Sequence, residues 1–77
     1  MERQAGAAAE IRQAIEGLLE TFLGEEARHL RIPEPSRCEA DASGCNWSLD
    51  YRSSCGEHEE AVRRAVEQAQ REWSLRP

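Results

Sequence analysis

At 77 residues and a formal net charge of −5, from 15 acidic residues against 10 basic ones, the chain has room for one small acidic domain. Chains this short bury only about 60% of their unfolded surface, so the few large apolar residues can close one thin core and cannot also line a ligand pocket of the usual ~300–1,000 Å³. That argues against an enzyme, and no cofactor is expected. It favours a domain that works through its surface.

Every basic residue is Arg, and the acidic excess is spread along the chain. Six acids stand against four Arg over residues 1–31, four against two over 32–56, and five against four over 57–77. No block is basic, so free nucleic acid is disfavoured as a direct ligand, and a protein partner with a basic surface is the better electrostatic match. Glu10, Glu16 and Glu20 interrupt what would otherwise be an apolar leader, and no run approaches the ~20 apolar residues of a membrane span. The three cysteines, Cys38, Cys45 and Cys55, are an odd number and read as free thiols in a reducing, cytoplasmic setting.

Taken in chain order, the first element is a helix over about residues 7–30. Ala8, Ile11, Ile15, Leu18 and Phe22 recur at helical spacing, with Glu10, Arg12, Gln13, Glu16 and Glu20 on the other side. Gly24 is either a C-cap or a kink, and Ala27 and Leu30 extend the spacing until Pro33 and Pro35 stop any helix. A rival assignment makes 28–32 a short strand.

The centre reads as a hairpin with strands at about 36–41 and 45–52. Cys45, Trp47, Leu49 and Tyr51 alternate with Asn46, Ser48, Asp50 and Arg52, the period of a strand with one wet face. Cys38 and Ala40 alternate likewise with Arg37, Glu39 and Asp41. A two-residue turn at Ser43-Gly44 sets Cys38 opposite Leu49 and Ala40 opposite Trp47, with both pairs on the dry face. A type I turn over 41–44 is the alternative.

The last third reads as a helix over about 55–73, opened by the capping-box pattern Ser54-x-x-Glu57. His58, Val62, Ala65, Val66, Ala69 and Trp73 form its apolar stripe. The expected fold is therefore α+β, in the order α-β-β-α, with both helices on one face of an antiparallel hairpin. A lone two-stranded sheet is marginal and leaves its edges unpaired, which points to a covering partner, a homodimer or the folded-back helix ends.

Candidate chemistry is sparse. Cys38, Cys45, Cys55 and His58 supply a Cys3His donor set, but the spacing lacks a paired-cysteine knuckle. A strand of about eight residues at ~3.3 Å each also separates Cys45 from Cys55, so no metal site is expected. Cys55 and His58 form Cys-x-x-His at a helix start, a place that lowers a thiol pKa. No second base or oxyanion donor accompanies them, so no catalytic residue is assigned. A Cys38–Cys55 disulfide under oxidation stays open. Trp47, Trp73 and Tyr51 belong to the core rather than to a ligand platform, and His29 is a solvated residue near the C-terminal end of the first helix.

The expected contact residues are acidic. Glu39, Asp41 and Asp50 lie on the wet face of the hairpin, and Glu57, Glu59 and Glu60 lie at the start of the second helix. The plain alternative is an ordinary wet sheet face, together with carboxylates that compensate a helix dipole.

The run Gly44-Cys45-Asn46-Trp47-Ser48-Leu49-Asp50-Tyr51, followed by an Ala/Arg/Glu-rich helix ending Ala69-Gln70-Arg71-Glu72-Trp73, resembles small proteins of proteobacterial phages and mobile elements. The resemblance covers the C-terminal half and brings no catalytic residues with it. It implies a setting in which small acidic proteins, the anti-CRISPR proteins among them, block host defence complexes by direct binding. The function expected is a protein–protein interaction module of that inhibitory kind. The alternatives are a structural homo-oligomer and a thiol-redox or metal-binding protein.

Overall fold

The structure, a computed structural model, describes residues 3–40, 42, 44–51 and 56–76. Over these described residues it is a mixed helix-and-strand protein with two α-helices and two small sheets. Helix α1 spans Ala8–Leu23. At its start the Glu10 carboxylate accepts the Ala7 N–H at 3.1 Å, satisfying one of the donors a helix leaves open at its N-terminus. Ile11, Ile15 and Leu19, spaced by four, put one unbroken aliphatic face into the core. The α-helix stops at Gly24, which takes a positive φ of 65° as its C-cap.

Residues Gly24–His29 continue as a 3-10 turn, so the α-helical part is shorter than the 7–30 expected and 28–32 form no strand. Phe22 corrects the core expectation. At ~100° per residue it shares the angular position of Ile11, yet it is 43% exposed. Burial along α1 ends one turn earlier, at Leu19.

Strands β2 (Ser36–Arg37) and β3 (Trp47–Ser48) form the antiparallel hairpin, much shorter than the strands expected. Ser36 pairs with Ser48 and Arg37 with Trp47, and the Cys38 N–H reaches the Asn46 carbonyl at 2.9 Å. The register is thus displaced by three residues from the one a Ser43-Gly44 turn would set. An odd displacement exchanges the faces of a strand, and Cys38 and Ala40, expected on the dry side, are exposed.

The cause lies in how little a thiol and a methyl contribute to burial. The apolar weight ahead of the hairpin comes from Ile32 and Pro35, both buried, and Arg12 holds that segment by an ion pair from its Nη1 to Glu34 at 3.6 Å. The alternation along the second strand is as expected: Cys45, Trp47 and Leu49 are buried while Ser48 and Asp50 are exposed.

Helix α2 spans Glu59–Glu72, after a 3-10 turn over Gly56–His58. Val62, Ala65, Val66 and Ala69 form its buried stripe. The capping pattern at Ser54 lies outside the described residues. Trp73, expected to close the helical stripe, is extended (φ −128°, ψ 142°) and begins a strand instead.

That strand, β4 (Trp73–Leu75), pairs in parallel with β1 (Gln4–Gly6), joining Gln4 to Trp73, Ala5 to Ser74 and Gly6 to Leu75. The hairpin is therefore not a lone sheet. On its other side β4 is met by Asn46, whose side-chain amide donates to the Leu75 carbonyl at 2.9 Å and accepts the Leu75 N–H at 2.8 Å. Asn46 was expected to point away from the core into solvent. It is half-buried and bridges the two sheets.

One apolar cluster joins these parts: Ile11, Ile15 and Leu19 from α1, Ile32, then Cys45, Trp47 and Leu49, and the four residues of α2. Among the described residues no polar or charged residue is buried.

Candidate partner-binding surface

The carboxylates singled out from the sequence sit at three places. Glu39 follows β2, Asp50 follows β3, and Glu57, Glu59 and Glu60 cluster at the start of α2; all five are exposed. Asp41 lies outside the described residues.

In the expected register Glu39 stood opposite Ser48, two residues from Asp50. Continued along the observed ladder it falls level with Cys45, at the loop end of the hairpin, while Asp50 lies beyond the opposite end. The register therefore does not gather Glu39 and Asp50 into one compact patch.

The three acids of α2 differ in how far they are already engaged. Glu60 Oε1 lies 2.8 Å from Arg63 Nη2 and 3.6 Å from Arg64 Nε. Arg63 also holds Glu67 at 2.8 Å through Nη1. Gripped from both sides, first by the hydrogen bond to Glu60 and then by that to Glu67, the Arg63 guanidinium has its pKa raised. Glu57 faces His58 Nε2 at 3.9 Å. Glu59 and Glu39 make no ion pair among the described residues.

His58, expected as a flank of the helical stripe, is half-buried, and its Nε2 reaches back to Glu26 Oε2 at 3.3 Å. Glu59 and Glu60 in the first turn of α2 also lie where a negative charge offsets the helix dipole.

Of the cysteines, Cys38 is exposed and Cys45 buried, and the Cys45 Sγ–H donates to the Trp47 carbonyl at 3.3 Å. Cys55 lies outside the described residues, and with it the Cys38–Cys55 and Cys55–His58 pairings. Among the described residues no three His, Cys, Asp or Glu side chains are placed to hold a metal ion. Trp47 is buried to 1% exposure in the core, with its indole N–H donating to the Trp73 carbonyl at 3.1 Å. Tyr51 and Trp73 are half-buried against the same core.

Two features were not singled out in the sequence. A surface depression of about 240 Å³, lined by Glu20, Gly24, Glu25 and Arg28, opens where α1 gives way to its 3-10 turn. It is smaller than a usual ligand pocket. Arg3, Arg37 and Arg76 fasten the chain ends. Arg3 donates to the Gln70 carbonyl at 2.8 Å, Arg76 to the Ala5 carbonyl at 3.3 Å, and Arg37 to the Arg76 carbonyl. No local pattern marks these roles, because each joins residues far apart in the chain. Among the described residues no helix is long and apolar enough to cross a membrane. Comparisons with family models, with curated proteins and with solved structures find no match to the chain.

Proposed function

We propose that this chain is a protein–protein interaction module that docks on a basic surface of another protein through exposed carboxylates, without catalysis or a cofactor. The resemblance of its C-terminal half to phage and mobile-element proteins gives the reading its setting. The partner is a nucleic-acid-handling host defence complex, and docking occludes the basic surface on which that complex holds nucleic acid.

The observation that supports the reading most is the exposure of Glu39 and Glu59 without an ion-pair partner among the described residues, on a chain of net charge −5. Such carboxylates attract an Arg- or Lys-rich groove at a distance, an effect that salt weakens. Glu57 and Asp50 belong to the same contact, and Asp41 is assigned to it from its place in the sequence. Glu60 contributes less because Arg63 and Arg64 already neutralise it.

The test is affinity capture from a proteobacterial lysate, followed by association kinetics at low and high salt with the captured protein. The double variant Glu39→Lys, Glu59→Lys is expected to associate more slowly and with a flatter salt dependence, at unchanged thermal stability. Association as fast as wild type would sink the acidic-surface reading.

A second reading, a homodimer, is favoured by one observation: Phe22 is a large apolar side chain left 43% exposed on α1. Sedimentation at high micromolar concentration decides it. A dimer mass that Phe22→Ser returns to the 8.7 kDa of the monomer supports the reading, and a monomer mass for the wild type rejects it.

A further inference from the structure

We draw no further inference here: the strongest candidate, the surface depression lined by Glu20, Gly24, Glu25 and Arg28 at the end of α1, is a group of surface charges with no second observation that points to a ligand.

Discussion

Strands β2 and β3 pair over two residues on each side, whereas β1 and β4 pair over three and also receive side-chain hydrogen bonds from Asn46, Trp47 and Arg76. The hairpin is positioned by burial: Trp47 and Leu49 are sunk in the core, and little ladder is needed to keep them there. The terminal clasp is positioned by polar bonding, since Trp73, Ser74 and Leu75 are only half-buried. A parallel pair needs a long connection between its strands, and here most of the chain serves as that connection. The two sheets therefore fail differently when challenged, one through loss of apolar area and the other through loss of specific bonds.

The largest effect is expected at Trp47, which belongs to both regions. Replacing a buried Trp by Ala costs about 3–5 kcal/mol, against a total of about 4–12 kcal/mol for a chain of this length at ~0.05–0.15 kcal/mol per residue. Trp47→Ala is therefore expected to lower the urea midpoint followed by circular dichroism sharply, while Trp73→Ala, at a half-buried site, lowers it far less. Equal losses from the two would erase the distinction between a buried hairpin and a surface clasp.

Next comes Gly6. It is buried in β1, and a Cβ placed there would stand 2.5 Å from the Trp73 ring, so the strand or the ring must move. Overpacking of this kind costs about 1–3 kcal/mol. Gly6→Ala is expected to lower the urea midpoint and speed amide exchange in β1 and β4, with α1 and α2 protected nearly as before. Faster exchange spread evenly over both helices would show that the clasp is not a separate unit.

Asn46 separates the roles of its two bonds. Asn46→Ala removes both links to Leu75 and leaves a backbone N–H and carbonyl without their partner, a loss of about 1–3 kcal/mol if both stay dry. Asn46→Asp keeps an acceptor for the Leu75 N–H and faces the Leu75 carbonyl with a second oxygen, so it too is expected to destabilise at neutral pH and to recover as acid protonates the new carboxyl. A stability of Asn46→Ala equal to wild type would show that the bridge between the sheets does not hold them together.

The smallest change in stability is expected at Arg63, which lies on the exposed side of α2. Arg63→Gln releases Glu67, leaves Glu60 to Arg64 alone and makes the chain more acidic by one charge. If the partner is basic, association quickens most at low salt. Unchanged kinetics would place α2 outside the contact and leave Glu39 and Asp50, at opposite ends of the hairpin, to be tested one at a time.

How much of this was legible follows from the range of each interaction. The buried residues of α1 and α2 repeat at three and four positions, a pattern that any stretch of a dozen residues displays. Phe22 marks the limit of that signal, because periodicity gives an angle around the helix and not how far along its axis the core extends. The alternation from Cys45 to Asp50 was legible for the same local reason. Its pairing was not, because Cys38 and Ala40 bring too little apolar area to choose the register. The candidate surface inherits that limit, since the distance between Glu39 and Asp50 is a property of the register.

The sequence by itself determined the acidic charge, the two amphipathic helices and the strand that carries Trp47, all properties of neighbouring residues. Only the tertiary structure decided that Gly6 meets Trp73 and that Asn46 meets Leu75. Those contacts join residues 67 and 29 positions apart, and no period within either segment encodes its distant partner. They form because the packed helices bring the chain ends together, where a glycine without a Cβ admits an indole ring and a side-chain amide supplies the donor and acceptor of a missing strand.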